Sequence, residues 1–276
     1  MPTFFNRTRI SRSLELKLLR QGRPLGVLVY WLVRWSDLGR EGIENSGSYR
    51  FADHIYRNEP SGRGKIGRWL DKTFLAMPAV KSFRNRFLAS RDQLCEFLTE
   101  RSGQAKSLDV LSAPCGIPRE LADGARLFRQ RTGRTLDGVT FHGIDLDAGL
   151  LAQARQFAEE NGLPNFITHH GDALERTTYP EAADFITCTG LAEFVSDEQL
   201  ERLYRVFFDV LRPAGLLVTS GMKRKLISEY FLRLAELKTH YRTAPQLEAI
   251  ARRLPFTQVR TSMDEFSIQT VLTARK

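Results

Sequence analysis

The sequence predicts a doubly wound α/β domain with a seven-stranded, mainly parallel sheet and an antiparallel terminal strand, preceded by an N-terminal helical cap. From Ser107 onward, strand-like apolar runs alternate with amphipathic helical stretches, which is typical of a parallel sheet covered by helices. The chain then ends in two β-rich runs that are close enough to pair antiparallel. We therefore predict a basic, mostly helical cap or lid over residues 1–106 and an α/β domain over residues 107–276.

Seven runs of the α/β domain are predicted strands, of which the last two form the terminal hairpin. They are residues 107–111, 140–144, 166–169, 184–188, 216–220, 256–261 and 266–273. A helix over residues 147–161 carries its apolar side chains on one face and ends before Gly162. A second helix over residues 197–211 begins with Ser196 and Gln199 in the spacing of a capping box.

Composition limits the class of protein. With 276 residues and 42% hydrophobic content, the chain can bury a large core. The three cysteines, Cys95, Cys115 and Cys188, are too widely spaced for a disulfide framework or a structural zinc site, so we expect no metal and a reducing cytoplasm.

The first residues lack the apolar middle of a secretory signal. The longest apolar run, residues 25–33, is far below the roughly 20 residues of a spanning helix.

The basic charge is concentrated in the first part of the chain. Residues 1–106 hold 20 Lys and Arg against 10 Asp and Glu, whereas residues 107–276 hold 21 against 22. An anionic partner, either a nucleic acid or a lipid surface, would explain this bias, and so would a solvated face. The apolar stretch with Tyr30, Trp31 and Trp35 favours peripheral contact with an anionic membrane. The alternative is a helix packed on the core, which would shield Trp31 and Trp35.

A small, tight loop follows the first predicted strand and leads directly into a helix. In an open α/β sheet, ligands bind beyond the carboxyl ends of the strands, so this loop is a candidate cofactor site. Its residues are Ser112, Ala113, Pro114, Cys115 and Gly116. Because the loop contains a single glycine, a plain strand-to-helix turn is the alternative interpretation.

Acidic residues follow the next two strands. Asp145 ends the second strand, and its carboxylate can accept both hydroxyl protons of a ribose. Since Asp147 occupies the better helix-capping position, we expect Asp145 to be free for a ligand. Leu146 would then offer an apolar contact to that ligand. Asp172 and Ala173 come after the third strand, where a second acid can meet the same ligand, although an Asp in a turn after glycine is also common.

These ordered segments resemble a class I S-adenosylmethionine-dependent methyltransferase over residues 107–276. Residues 211–216, Leu-Arg-Pro-Ala-Gly-Leu, resemble the L-x-P-G-G turn before the fifth strand of that family, and its sheet also ends with an antiparallel strand beside the fifth. The glycine loop departs from the family pattern G-x-G-x-G, because Ser112 and Pro114 stand at the first two glycines. An oxidoreductase that binds a nicotinamide cofactor is a weaker alternative, since G-x-G-x-x-G is absent.

A closer resemblance is to bacterial methyltransferase domains that are sometimes fused to α/β-hydrolases. It rests on residues 56–64, Tyr-Arg-Asn-Glu-Pro-Ser-Gly-Arg-Gly, on Gly67, Arg68 and Asp71, and on residues 190–194, Gly-Leu-Ala-Glu-Phe.

The resemblance implies an enzyme of the Rossmann-like fold with S-adenosylmethionine as its cofactor. The implied cofactor residues are Ser112, Ala113, Pro114, Cys115, Gly116, Asp145, Leu146, Asp172, Ala173 and Thr189, with Tyr56, Arg57 and Asn58 closing over the cofactor.

The methyl acceptor is predicted only by class, as a small molecule or a lipid headgroup methylated on nitrogen, oxygen or sulfur. Glu193 and Tyr56 are the candidate catalytic residues. Glu193 follows the fourth strand, where a carboxylate could attract an amine or accept a proton, and a helix-entry acid is the alternative. Cys188 is more often structural than nucleophilic at such a position. An RNA methyltransferase and a non-catalytic binding protein stay as alternative functions, with nucleic acid the less favoured partner, and the oligomeric state is left open.

Overall fold

A computed structural model of the protein describes residues 24–44, 49–101, 103, 107–224 and 239–276. The chain divides into two compact units. We call Met1–Arg84 with Arg224–Thr239 the helical unit, and Asn85–Lys223 with His240–Lys276 the sheet unit.

The sheet unit contains one seven-stranded sheet with the strand order β3-β2-β1-β4-β5-β7-β6. The strands are β1 Leu108–Ser112, β2 Val139–Asp145, β3 Phe166–His170, β4 Ala183–Cys188, β5 Leu211–Met222, β6 Gln258–Met263 and β7 Gln269–Arg275. Neighbouring strands pair parallel from β3 to β5, and β7 pairs antiparallel with both β5 and β6. The predicted doubly wound sheet with an antiparallel terminal strand is confirmed.

Continuous apolar runs form the central strands because both faces of the sheet are covered. Every residue of β4 is buried, as expected for a parallel strand between two helical layers. Successive residues of one strand enter different core clusters: Val110 lies in the cluster that contains Phe128, whereas Leu111 lies in the cluster that contains Phe207. This alternation follows from the two-residue repeat of a β-strand.

The helices of the sheet unit are α6 Arg119–Thr132, α7 Ala148–Glu160, α8 Asp197–Val210 and α9 Ala244–Ala251, with short 3-10 turns at Arg176–Thr178 and Leu191–Glu193. The two helices whose bounds the sequence predicts, α7 and α8, begin within one residue of the predicted start. Asp147 caps α7, since its carboxylate accepts from the amides of Gly149 and Leu150. The capping box of Ser196 and Gln199 is also present.

One predicted boundary was wrong. Residues 211–215 were expected to form a turn, but they belong to β5, because Leu211 pairs with Ala183 across an irregularity in the ladder. The division into a cap of residues 1–106 and an α/β domain of residues 107–276 stays a prediction, and the structure groups Asn85 and the rest of its helix with the sheet unit. The reason is helix α5, Pro78–Arg101, whose second half carries Leu94 and Phe97 in the same core cluster as β1.

The helical unit contains short helices around a small aromatic core. In addition to the first part of α5, they are α1 Pro24–Val33, α2 Asp37–Glu44, α3 Tyr49–Arg57 and α4 Gly64–Leu75. Leu38, Ile55 and Leu75 are buried against the rings of Phe51 and Phe83. Within the described ranges, none of the helices has both the length and the apolar composition that crossing a bilayer requires.

A buried carboxylate organises the loop between α3 and α4. Asp71 is fully buried and accepts hydrogen bonds from the hydroxyl of Ser36 and from the amides of Leu38, Ser61 and Gly62. These contacts hold Ser61 and Gly62 against α4, because the carboxylate supplies acceptors for two amides of the loop. Asp71 and part of the segment 56–64 therefore have a structural role in this unit, whatever further role they have.

Candidate functional site

The loop after β1 lies at the carboxyl edge of the sheet, between β2 and β4. The amide of Ala113 donates to the carbonyl oxygen of Thr187 at 3.0 Å, and the amide of Cys115 donates to that of Ile144 at 2.7 Å. The loop is thus tied to the strands on both sides of β1. Because the direction of strand progression reverses between β1 and β4, this is the switch point at which α/β sheets bind ligands.

Gly116 connects this loop to the end of β2. Its φ of +50° lies in the left-handed region, which an L-residue with a side chain adopts only with strain. In this conformation its amide donates to Oδ2 of Asp145 at 3.1 Å. The single glycine that remains of the family pattern is therefore at a position where the backbone requires one.

Asp145 is less free than the sequence suggests. Besides Gly116, the amide of Asp147 donates to Oδ1 of Asp145 at 3.1 Å, so each carboxylate oxygen already accepts one backbone hydrogen bond. Each oxygen still has a second lone pair for a ligand. Burial raises the pKa of Asp145 above its ordinary value, while the two amides lower it. The ribose role of Asp145 stays a prediction, with about half of its accepting capacity used by the fold.

An apolar side chain and a second carboxylate lie at the ends of β2 and β3. Leu146 is 41% exposed, so it offers an apolar surface next to Asp145. Asp172 accepts from the amide of Leu174 through Oδ1 at 2.9 Å. Ala173 is buried, and its carbonyl oxygen accepts from the hydroxyl of Tyr179. An exposed leucine at the edge that also carries the two carboxylates suits an adenosine, which offers a flat ring for apolar contact and whose ribose and amino group donate hydrogen bonds.

Glu120 is a buried acid that sequence reasoning missed. It lies in the first turn of α6, and its Oε1 accepts from the hydroxyl of Ser112 at 2.7 Å. Burial raises the pKa of Glu120 to about 7. The available signal was its position: an acid in the first turn of the helix that directly follows the loop. Because the pKa of Glu120 lies near neutral pH, a cation bound at this edge would lower that pKa, and the carboxyl group would lose its proton.

Glu120→Gln is expected to remove a pH dependence of stability. The pKa of Glu120 rises from 4.5 to about 7 on folding, so its contribution to stability is present at low pH and is lost as the pH rises through 7. Glutamine stays neutral, and we expect the variant to be more stable than the wild type at pH 8 by up to ~3 kcal/mol, with little difference at pH 4. Urea unfolding at both pH values measures this difference.

The exposed Glu181 provides the matched control for that measurement. Glu181→Gln should follow the wild-type pH dependence. If Glu120→Gln also follows it, the assignment of the raised pKa to Glu120 is incorrect.

The two cysteines of this edge are poor nucleophiles. Cys115 and Cys188 are buried, and burial raises the pKa of both thiols well above the ordinary value. Neither thiol ionises near neutral pH, and the thiolate is the reactive form. Thr189, which follows Cys188, is half-buried, and its predicted contact with the cofactor stays a prediction.

Glu193 lies in a buried ion pair. Nη1 of Arg86 donates to both carboxylate oxygens of Glu193 at 2.8 Å, and Nε2 of Gln269 donates to Oε1 at 3.2 Å. Both charged side chains are almost fully buried. A carboxylate held in this way is engaged as a hydrogen-bond acceptor before any substrate arrives. The catalytic role of Glu193 stays a prediction, and the geometry favours a positioning role.

A further polar pair lies at β4. The hydroxyls of Ser90 and Thr187 are 2.6 Å apart and both are buried. Sequence reasoning missed Ser90, Arg86 and Gln269, which are distant in the chain from the loops they support. Helix α5 and strand β7 thus supply polar contacts to the carboxyl edge of β4.

Tyr56, Arg57 and Asn58 belong to the helical unit. The Tyr56 ring stacks on Phe83 with 5.8 Å between centroids. Arg57 pairs with Asp53 at 3.2 Å, and Asn58 has a φ of +56°. These contacts describe their place in the helical unit alone. The predicted cofactor role of the three residues and the catalytic role of Tyr56 stay predictions.

Part of the sheet unit is similar to a methyltransferase domain. Residues 123–215 match the sequence model of the methyltransferase domain family. The chain is 26% identical over 155 residues to the ubiquinone biosynthesis O-methyltransferase of Sodalis glossinidius, and 25% identical over 154 residues to that of Photorhabdus laumondii. Each match spans 52% of this chain, and the matches cover 57% and 58% of the two relatives.

Structure comparison finds the same fold. A possible exported protein from Bordetella parapertussis superposes with a TM-score of 0.77 at 24% identity, over 96% of this chain and 93% of that one. Magnesium protoporphyrin IX methyltransferase from Synechocystis, solved with bound S-adenosylhomocysteine, superposes with a TM-score of 0.54 at 14% identity, over 81% of this chain and 93% of that one.

The comparisons support the predicted class I methyltransferase fold and a domain of the S-adenosylmethionine-dependent class. The closer likeness to domains fused to α/β-hydrolases stays a prediction.

Proposed function

We propose that this chain is an S-adenosylmethionine-dependent methyltransferase that methylates an oxygen of a small molecule or lipid headgroup. The observation that carries the proposal is the placement of the Gly116 loop, Asp145 and Asp172 in order along the carboxyl edge of β1, β2 and β3. The choice of oxygen is supported by the two relatives named O-methyltransferases. A cytoplasmic location stays part of the proposal.

The residues at this edge fit the cofactor. The 112–116 loop would hold the methionine part and Asp145 the ribose, with Leu146 and Asp172 against the adenine. Glu120 would lie near the positively charged part of the cofactor, where its carboxylate is stabilised. When bound, S-adenosylmethionine supplies an electrophilic methyl group on a sulfonium. The protein then has to align the acceptor and exclude water rather than form a covalent intermediate.

Asp145→Asn is expected to weaken cofactor binding. Asparagine keeps one acceptor oxygen for the loop but loses the charge and the second acceptor, so we expect affinity for S-adenosylhomocysteine to fall roughly 10- to 100-fold, the effect of a lost charge-assisted hydrogen bond. Asp137→Asn, an exposed position before β2, is the control and should bind as the wild type does. Unchanged affinity in folded Asp145→Asn would remove the ribose assignment.

The acceptor class is tested with S-adenosylmethionine labelled in its methyl group. The full chain is incubated with the label and, separately, with a small-molecule extract, a lipid extract and total RNA. Label in a product of either extract supports the proposal if hydriodic acid releases it as methyl iodide under conditions that leave N-methyl groups intact. Label in RNA, or tight cofactor binding with no transfer in any fraction, overturns it in favour of the RNA or the non-catalytic alternative.

A further inference from the structure

An exposed apolar surface lies on the helical unit. Six large hydrophobic side chains of α1, α4 and the turn after α1 are each between 50% and 67% exposed. They are Leu28, Trp31, Leu32, Trp35, Ile66 and Trp69, and we call them the tryptophan surface. Such a concentration of large apolar side chains in solvent marks an interaction site.

The six side chains form two stripes, one on each of two helices. Leu28, Trp31, Leu32 and Trp35 recur at helical spacing and so share one face of α1 and its extension. Ile66 and Trp69 do the same on α4.

The backbone at the end of the first stripe contacts the beginning of α4. The amide of Arg63 donates to the carbonyl oxygen of Trp35 at 3.1 Å, and a Cβ at Gly67 would overlap that same oxygen. Glycine at 67 therefore allows the chain at Trp35 to lie against α4.

Cationic side chains lie beside the apolar ones. Lys65, Arg68 and Lys72 are exposed on α4, and Arg63 is exposed just before it. Among the ion pairs of the described residues, none includes any of these four. The only acid of α4, Asp71, is buried and bonded to the loop of its own unit, so the solvent side of this helix carries positive charge alone.

An arginine also lies against the aromatic rings of the other helix. The guanidinium carbon of Arg34 is 5.6 Å from the ring centroid of Tyr30 and 5.4 Å from that of Trp31. Cation–π contact keeps a charged group at the level of a partly inserted ring.

We propose that the tryptophan surface binds an anionic lipid bilayer, with α1 and α4 lying in the plane of the interface. Tryptophan rings suit the boundary between headgroups and acyl chains, and the adjacent cations attract anionic headgroups. The charge is what selects this partner: an apolar protein partner would not require four cations along the rim that form no ion pair with the described residues. The surface extends beyond the segment that the sequence predicts, because it includes Ile66 and Trp69. Residues 1–23, to which the sequence hypothesis also assigned membrane contact, lie outside the described residues.

The chain offers an intrinsic probe for this proposal, because all three of its tryptophans, Trp31, Trp35 and Trp69, lie on the tryptophan surface. The full chain is mixed at low salt with vesicles of phosphatidylglycerol and phosphatidylcholine, and separately with vesicles of phosphatidylcholine alone. We expect a blue shift of tryptophan emission, quenching by brominated acyl chains and co-sedimentation with the anionic vesicles only. High salt should reverse most of the binding.

Variants separate the apolar and the charged contributions. Because Ile66 and Trp69 are more than half exposed, I66S/W69S should fold, and we expect its partition coefficient to fall at least ~10-fold from the lost apolar contact. K65Q and R68Q should each lower binding about fivefold. The matched controls are M263S and R260Q, exposed positions on β6, which should bind as the wild type does.

Three results would overturn the proposal. The first is no anionic-lipid-dependent shift or sedimentation of the wild type. The second is an equal loss of binding in the control variants. The third is a dimer of the wild type, detected by sedimentation velocity without vesicles, that I66S/W69S dissociates, since the surface would then be covered by a second copy of this chain.

Discussion

Asp71→Ala is expected to unfold the helical unit or to lower its stability by roughly 3–5 kcal/mol. The carboxylate of Asp71 accepts from Ser36, Leu38, Ser61 and Gly62, and none of these donors gains a new acceptor from alanine. A buried donor left without a partner costs ~1–3 kcal/mol, so the loss of several at once is large. Urea unfolding followed by tryptophan emission measures this effect, because every tryptophan is in the helical unit.

Glu59→Ala is the matched control for Asp71. Glu59 lies in the same loop with an exposed side chain, so its removal should change stability by less than ~0.5 kcal/mol. If Asp71→Ala unfolds at the same urea concentration as Glu59→Ala, the carboxylate does not organise the loop as described.

Arg86→Met is expected to cost roughly 3–5 kcal/mol of stability in the sheet unit, because it leaves the buried carboxylate of Glu193 without its cation. The remaining hydrogen bond from Gln269 does not replace two charge-assisted bonds at 2.8 Å. The double variant Arg86→Met/Glu193→Met removes both charges and should recover most of the lost stability. A double-variant cycle by chemical denaturation measures this coupling.

The same double variant distinguishes the two roles considered for Glu193. If Glu193 only positions the edge of β4, the folded double variant should bind cofactor and retain methyl transfer within about tenfold of the wild type. If Glu193 accepts the proton of the acceptor, binding persists but transfer falls by roughly 100-fold or more. Additive losses in the cycle, with no recovery of stability, would contradict the ion-pair account.

The sheet could be predicted because its determinants are local. Apolar runs, the Asp147 cap and the Ser196 capping box each specify an element through residues within a few positions of one another. The placement of β7 beside β5 could be expected only from the resemblance, because antiparallel pairing of two terminal runs does not itself determine which strand joins the sheet. The bounds of β5 were missed because Leu211 pairs with Ala183 across a ladder irregularity.

The residues that support the candidate site could not be predicted, because they are far apart in the sequence. Arg86 and Glu193 are 107 positions apart in the chain, and Gln269 is another 76 away. No spacing in the sequence indicates that three such residues share a buried cluster. The same limit explains why Asp145 was taken to be free: its bond to Gly116 crosses 29 positions. Loop residues themselves were identifiable, because strand ends in an α/β sheet converge on one edge.

The predicted boundary of the cap at residue 106 stays a prediction that rests on composition alone. Composition assigned the basic residues up to 106 to one region, but α5 is a single helix of 24 residues with a different environment along its length. Its apolar residues Leu94, Phe97 and Leu98 pack with strands that follow later in the chain. The number of charged residues in a segment gives no information about such packing.

An equilibrium titration of the full chain with S-adenosylhomocysteine tests the central claim most directly, since this product analogue binds without turnover. We predict one saturable site per chain, for which S-adenosylmethionine competes and a nicotinamide dinucleotide does not, with binding weakened in Asp145→Asn. Absence of binding by the folded protein, or displacement of the ligand by the nicotinamide dinucleotide, would contradict the assignment of the 112–116 loop and Asp145 to this cofactor.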